Sequence, residues 1–200
     1  MIPFRELNFP ELVKDVREIY WDHIDPLAGM RLPTMRNEGI LGLEQPAVAT
    51  DEFKEIARIR KKYPFLDRHM LLFKLRPSFV TEIHMDGHPA FGRVKQRQVS
   101  INIPISGCNE SGITEFYSNL EDDFYLEPRF NTLVIKKECT PVKTLEYAVK
   151  ENPFLTCPQI PHRINNALNT EYRITVSWTL DLSWSWEDAV EYFSDKIMRV

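Results

Sequence analysis

Polar and apolar residues alternate along residues 98 to 105, where every second side chain is valine or isoleucine. Because successive side chains of a strand point to opposite faces, this alternation predicts a strand with one polar face. Short β-rich segments separated by turn residues continue from about residue 70 to residue 181, and eight of them suffice for a jelly roll. The predicted strands are at about 70 to 76, 79 to 85, 97 to 105, 113 to 118, 131 to 136, 143 to 149, 154 to 157 and 173 to 181.

Helices are predicted on both sides of this β-rich region. Apolar residues recur at helical spacing from Pro10 to Tyr20, which predicts a first helix. A second helix should begin at Thr50 or Asp51 and continue through Lys62. Its inward-facing residues are expected to be Phe53, Ile56 and Ala57. A final helix should begin at a capping box formed by Ser185 and Asp188 and pack on the sheet. Its apolar stripe comprises Ala189, Val190, Phe193 and Ile197.

The pattern predicts one mainly β domain with flanking helices over residues 1 to 200. Residues 1 to 69 would form a helical front with an irregular segment, residues 70 to 182 the β core, and residues 183 to 200 the C-terminal helix. The segment 22 to 49 is rich in proline, glycine and asparagine, so we expect it to run over the surface. It is a candidate loop for covering a substrate.

Composition favours a soluble intracellular protein. Apolar residues make up 43% of the chain, as in ordinary globular domains. The net charge of −4, with no long basic stripe, argues against nucleic-acid binding. No apolar run is long enough for a membrane span, and no secretory signal is evident at the N-terminus. The three cysteines are odd in number and lack CxxC spacing, which indicates reduced thiols and a cytoplasmic location.

A candidate metal site lies in the run Thr81 to Gly87. His84 and Asp86 are two residues apart, so in an extended segment they share one side and can bind the same ion. His162 is a candidate third ligand from a distant part of the chain. Two histidines and one carboxylate leave one face of an octahedral ion open, as in non-heme Fe(II) oxygenases.

Each candidate ligand also has a simpler interpretation. His84 and Asp86 would suit the end of a surface strand with an Asx-type turn at Gly87, and His162 would suit a loop after Pro161. His88 is a rival ligand four residues after His84, although Gly87 and Pro89 disfavour the helix that this spacing requires.

Arg173 and Thr175 form a second candidate site. Arg173 lies in an apolar, β-branched strand, where a buried charge is costly unless it has a partner. A strand also places Thr175 on the same face. The alternative is a structural ion pair between Arg173 and Glu82 or Glu115. Ser100 and Asn102 share the polar face of their own strand, where Asn102 is either a ligand-binding or a structural amide.

Together, His84, Asp86, His162 and Arg173 resemble the motif of the Fe(II)- and 2-oxoglutarate-dependent oxygenases over roughly residues 70 to 182. This resemblance implies a double-stranded β-helix of the cupin-like kind, with Fe(II), 2-oxoglutarate and O2 as cofactor and cosubstrates. It assigns Arg173 and Thr175 to the far carboxylate of 2-oxoglutarate. Asn102, with Ser100 on the same strand face, is a candidate to bind the cosubstrate or a ligand carboxylate.

The implied reaction is hydroxylation of an unactivated C–H bond with release of succinate and CO2. Asp86 occupies the position that halogenating relatives leave for chloride, which favours hydroxylation. An amino-acid, peptidyl or small-metabolite substrate is expected, with no nucleic-acid or membrane partner, and the oligomeric state is left open. The alternative is a non-catalytic cupin-like barrel that binds a small ligand or a metal.

Overall fold

The computed structural model describes residues 2–21, 34–36, 43–49, 54–86, 98–118, 123–127, 132–180 and 183–198. Its helices are α1 Pro10–Ile19, α2 Lys54–Lys62 and α3 Trp186–Tyr192. Its strands are β1 Phe4–Glu6, β2 Thr34–Arg36, β3 Leu43–Ala49, β4 Leu66–Leu75, β5 His84–Asp86, β6 Ser100–Ser106, β7 Ile113–Tyr117, β8 Phe124–Glu127, β9 Thr132–Ile135, β10 Lys143–Ala148, β11 Phe154–Thr156, β12 His162–Asn165 and β13 Arg173–Leu180.

The strands form two antiparallel sheets. The larger sheet has the order β1-β11-β6-β13-β4-β3-β2, and the smaller has the order β10-β7-β12-β5-β9-β8. Both sheets contribute to one cavity, and strands distant in sequence are neighbours in each sheet. This arrangement is the predicted jelly roll, with helices flanking a mainly β fold.

The main hydrophobic core lies between the larger sheet and the helices. Leu12 and Val16 of α1 and Ile56 of α2 are buried there against apolar residues of β6 and β13. The α1 helix begins with Pro10, whose fixed φ suits a first helical position. The side chain of Ser185 accepts a hydrogen bond from the backbone of Asp188, which confirms the capping box of α3.

The alternation of β13 separates this core from the cavity. Ile174, Val176 and Trp178 belong to the helix-covered core, while Arg173 and Thr175 line the cavity between the sheets. All eight residues of β13 are buried, because both of its faces are covered. The strand therefore carries polar groups into the interior opposite an apolar face.

The structure corrects the prediction for the first part of the chain. The segment 22–49, expected to be irregular, contains β2 and β3, which extend the larger sheet beyond β4. The strand β3 was not predicted because it contains a proline, and proline is disfavoured inside sheets. Thr50, Asp51 and Phe53 lie outside the described residues. Ile56 faces inward as predicted, but the prediction for Ala57 was wrong because it is exposed.

Three strand predictions around the site were also inaccurate. Residues 79–85 were expected to be a strand, but the described strand is only β5. Among residues 79–83, which precede β5, Val80 forms only an isolated bridge, with Asn165. The stretch around His162, for which a loop was the simpler interpretation, is instead β12, and β8 was not predicted.

None of the described helices is sufficiently long and apolar to cross a membrane. The three cysteines, Cys108, Cys139 and Cys157, are all free thiols, as predicted.

Candidate active site

His84, Asp86 and His162 converge at one end of the cavity. Their candidate ligand atoms all lie within 4.8 Å of one another, and the centroids of the two imidazole rings are 4.5 Å apart. His84 is buried, while Asp86 and His162 are half-buried. The structure therefore brings the three candidate ligands together, although His162 is 76 residues beyond Asp86 in the sequence.

Pairing between β5 and β12 positions the two histidines. His84 and His162 are register partners in these antiparallel strands. The backbone N–H of Asp86 donates to the carbonyl of Pro158 at 2.9 Å, which joins the end of β5 to the segment before β12. The positions of all three side chains are thus set by backbone hydrogen bonds between distant parts of the chain.

Backbone carbonyls orient both imidazole rings. Nδ1 of His84 lies 2.8 Å from the carbonyl oxygen of Glu82, and Nδ1 of His162 lies 2.8 Å from that of Ile160. When Nδ1 carries the proton and donates to a carbonyl, the lone pair of the neutral ring is on Nε2. This second interaction is typical of metal-binding histidines. Two imidazoles and a carboxylate in this arrangement fit a divalent transition metal.

Arg173 enters the same cavity from β13 and is 4% exposed. Its guanidinium donates to Thr114 Oγ1 at 3.2 Å and to the carbonyl of Ile113 at 3.4 Å. Burial lowers the pKa of Arg173 from its ordinary value, although Cys108 and Tyr147 oppose this effect. Among the described residues, no carboxylate forms an ion pair with Arg173. Its acceptors in these two hydrogen bonds are a hydroxyl and a backbone carbonyl, and neither carries a charge.

The two carboxylates proposed as structural partners of Arg173 are placed elsewhere. Glu82 is exposed, and buried Glu115 instead accepts hydrogen bonds from Arg163, Tyr117 and Asn165. Burial alone would raise the pKa of Glu115, but these hydrogen bonds reverse the effect and lower it to about 2. Glu115 is thus an ionised partner of Arg163, and the structure does not support an ion pair with Arg173.

The remaining predicted residues also line the cavity. Thr175 is 5% exposed, and its Oγ1 lies 3.7 Å from the sulfur of Cys108. Ser100 and Asn102 project from β6 and both contact Thr156 Oγ1. His88, the rival metal ligand, lies outside the described residues.

Sequence reasoning missed Thr114 and Thr156. Thr114 and Phe116 are two residues apart on β7, and both line the cavity. Because Thr114 and the neighbouring Glu115 are both polar, the sequence here shows no alternation of polar and apolar residues. Thr156 belongs to a strand of three residues, which is too short for periodicity to indicate a face. These two hydroxyls contact predicted site residues only because of the sheet order.

The strand register also gives an approximate separation between Arg173 and the three candidate metal ligands. Thr114, which contacts Arg173, is two residues from Phe116, the register partner of His162. Two residues of a strand span about 7 Å. The cation and the histidine-carboxylate group are therefore separated by the length of a small ligand. They share a cavity of about 670 Å³, including its open mouth.

No protein-family model and no curated protein matches this sequence. Among solved structures, a prolyl-4-hydroxylase from Pseudomonas putida is similar at 12% identity and a TM-score of 0.51, over 88% of this chain and 90% of that one. A prolyl hydroxylase from Trichoplax adhaerens, in complex with a hypoxia inducible factor peptide fragment, gives 14% identity and a TM-score of 0.48 over 94% and 86%. An oxalate decarboxylase from Bacillus subtilis gives 10% and 0.37 over 70% and 26%. At such identities, the first similarity shows a shared fold.

Proposed function

We propose that this protein is an Fe(II)- and 2-oxoglutarate-dependent oxygenase that hydroxylates an unactivated C–H bond. The observation that carries the proposal is the position of Arg173: a buried cation, without a carboxylate partner among the described residues, in the same cavity as His84, Asp86 and His162. A buried charge is costly until it is paired. An anionic cosubstrate would supply that pairing.

The dimensions of the cavity suit 2-oxoglutarate. Its five-carbon chain has four C–C bonds of about 1.5 Å, or about 6 Å in total. Thr114, which contacts Arg173, and Phe116, which pairs with His162, are two strand residues apart, or about 7 Å. A dicarboxylate held by Arg173 at one end would therefore reach the metal ligands with its other end.

The roles of the residues follow from their contacts. His84, Asp86 and His162 would hold Fe(II), which supplies the oxygen chemistry when bound. Arg173 would bind the far carboxylate through two parallel hydrogen bonds, with Thr175 beside it on the same strand face. The carbonyls of Glu82 and Ile160 hold the imidazole rings in orientation.

The cavity walls would exclude water from the reacting groups. Phe73, Leu75, Phe116, Phe154 and Ile164 contribute apolar surface around the polar groups. A low-dielectric wall strengthens the attraction between Arg173 and a carboxylate. We expect an amino-acid, peptidyl or small-metabolite substrate, with Ser100 and Asn102 available on the wall formed by β6.

A direct test measures succinate formation from 2-oxoglutarate with Fe(II) and O2, including turnover without a primary substrate. The proposal predicts succinate production that requires both Fe(II) and O2 and disappears in Asp86→Ala. Binding of Mn(II) and 2-oxoglutarate without any succinate, across candidate substrates, would favour a non-catalytic cupin-like barrel. An Asp86→Ala variant that retained full Fe(II)-dependent turnover would contradict the ligand assignment.

A further inference from the structure

A compact group of uncharged polar side chains lies on the wall of the cavity formed by the larger sheet. The Oγ atoms of Ser100 and Thr156 are 3.0 Å apart, and the side-chain amide of Asn102 lies 2.7 Å from Thr156 Oγ1. Ser100 is 1% exposed and Asn102 is 8% exposed, yet both line the cavity. We call Ser100, Asn102 and Thr156 the hydroxyl-amide cluster.

The register places the Ser100 end of this cluster far from Arg173. Arg173 begins β13, whereas Ser100 pairs with Thr179 near the other end of the same strand. Six residues of a strand span about 20 Å. Even allowing for the length of the arginine side chain, a diacid of about 6 Å that starts at Arg173 ends before it reaches Ser100. The cosubstrate would therefore leave this end of the cluster uncovered.

The cluster lies instead on the side of the metal ligands, because Thr156 is two residues before Pro158, whose carbonyl accepts the backbone N–H of Asp86. Thr156 is the register partner of Phe4, whose ring stacks on Phe116 with a centroid separation of 6.0 Å. Phe116 is in turn the register partner of His162. This chain of contacts crosses the cavity from the larger sheet to the smaller one. A molecule bound on the cluster would thus be adjacent to the metal rather than to the cosubstrate anchor.

The chemistry of the cluster selects an uncharged partner. Two hydroxyls and a carboxamide donate and accept hydrogen bonds but carry no charge. Among the described residues that line the cavity, the charged side chains Asp86 and Arg173 are assigned to metal and cosubstrate. A charged substrate group would have to lose its hydration against the cluster without a counter-ion, which is unfavourable. A carboxamide or peptide group presents one donor and one acceptor side by side, complementary to Asn102.

We propose that the hydroxyl-amide cluster is the subsite for the primary substrate and that it binds an uncharged amide, either a peptide group or a carboxamide. This assignment moves Ser100 and Asn102 from the cosubstrate to the substrate. It rests on the proposed function, because that function supplies the reason for a substrate beside the metal. The oxidised carbon would lie close to the amide.

The test uses the full chain loaded with Mn(II) and 2-oxoglutarate and two probes of similar size, propanamide and propylammonium. Mn(II) is paramagnetic, so it accelerates relaxation of the methyl protons of any probe that binds near it. We expect saturable relaxation enhancement for propanamide, and an at least about fivefold weaker effect for propylammonium, which corresponds to one hydrogen bond. Thr156→Val should reduce the propanamide effect by about fivefold. Thr144→Val is the control, since it also removes a strand hydroxyl that forms a hydrogen bond, but Thr144 does not line the cavity.

The results separate the two proposals. If Mn(II) and 2-oxoglutarate bind but propylammonium is relaxed as strongly as propanamide, the amide subsite is wrong and the oxygenase proposal stands. The same conclusion follows if Thr156→Val behaves like Thr144→Val. If Thr156→Val does not fold, Ser100→Ala must give the same loss for propanamide. Failure of wild-type protein to bind Mn(II) or 2-oxoglutarate would overturn both proposals.

Discussion

His84 and His162 are register partners in neighbouring antiparallel strands, with ring centroids 4.5 Å apart. Directly opposite residues in such a pair hold their side chains on one face at close range. The two imidazoles are therefore brought together by backbone pairing and do not depend on a flexible loop. Their Nδ1 contacts with the carbonyls of Glu82 and Ile160 fix the ring orientation before a metal binds.

Replacement of either histidine should weaken metal binding. In His84→Ala or His162→Ala, one of three protein ligands is lost, so we expect the affinity for Mn(II) or Fe(II) to fall by at least about 100-fold. Titration calorimetry without O2 measures this change. His88→Ala is the control, and it should bind metal like the wild type. Unaltered binding in both single variants, with loss in His88→Ala, would move the site to His88.

Glu115 should make stability depend on pH. Its pKa is lowered from 4.5 to about 2 in the folded state, because hydrogen bonds from Arg163, Tyr117 and Asn165 outweigh burial. A depressed folded pKa stabilises the protein above the unfolded pKa, and this contribution is lost as the pH falls through the folded pKa. Between about pH 5 and pH 2 the wild type should lose about 3 kcal/mol of unfolding free energy from this group.

Urea unfolding of Glu115→Gln at a series of pH values tests this account. The variant should be less stable at pH 6 and should show a flatter decline toward acid. Glu110→Gln is the control, because Glu110 forms an ion pair with Lys150 but its side chain is 83% exposed. That change should leave the pH profile within about 0.5 kcal/mol of the wild type. Parallel profiles for wild type and Glu115→Gln would contradict the assignment.

Gly107 should tolerate no side chain. It has φ of 61°, and a Cβ built there would lie 2.0 Å from the carbonyl oxygen of Tyr172. Both the backbone conformation and this contact disfavour alanine, so Gly107→Ala should lower the free energy of unfolding by about 2–4 kcal/mol. In Gly112→Ala the closest contact is 3.3 Å, to Arg173 Cδ, so its loss should be smaller. Equal losses from the two changes in thermal unfolding would show that the geometry at Gly107 is not decisive.

The sequence predicted the general fold because β13 and β6 carry clear patterns. The alternation from Ser100 to Ile105 and the β-branched residues of β13 indicate strands with one polar face, and both strands do line the cavity. The strands β1, β2, β3, β8 and β12 were missed because they are short or contain proline. The strand β12 pairs with β5 and β7, which are distant in sequence, and local propensity does not record such pairing.

The candidate metal-binding residues were easier to predict from the sequence than the other residues that line the cavity. His84 and Asp86 were found because metal binding requires particular residue types at a short spacing. Thr114 and Thr156 were missed, since a threonine in a strand is ordinary and only the sheet order places it beside Arg173 or Asn102. A functional role for Arg173 was predicted from the cost of a buried charge. Only the structure shows that Arg173 has no carboxylate partner among the described residues.

The central claim, that Arg173 anchors 2-oxoglutarate, is tested by comparing two arginine variants. Arg163→Met is the matched control, because it removes an arginine that bonds to Glu115, outside the group of residues that line the cavity. It should lower the melting temperature but leave the affinity for 2-oxoglutarate unchanged.

The deciding measurement is the shift in melting temperature that 2-oxoglutarate causes in the Mn(II)-loaded protein. In Arg173→Met we expect this shift to vanish, because the affinity for 2-oxoglutarate should fall by about 2–5 kcal/mol when one member of a buried charged pair is removed. The shift caused by Mn(II) alone should remain. A full 2-oxoglutarate shift in Arg173→Met would contradict the account.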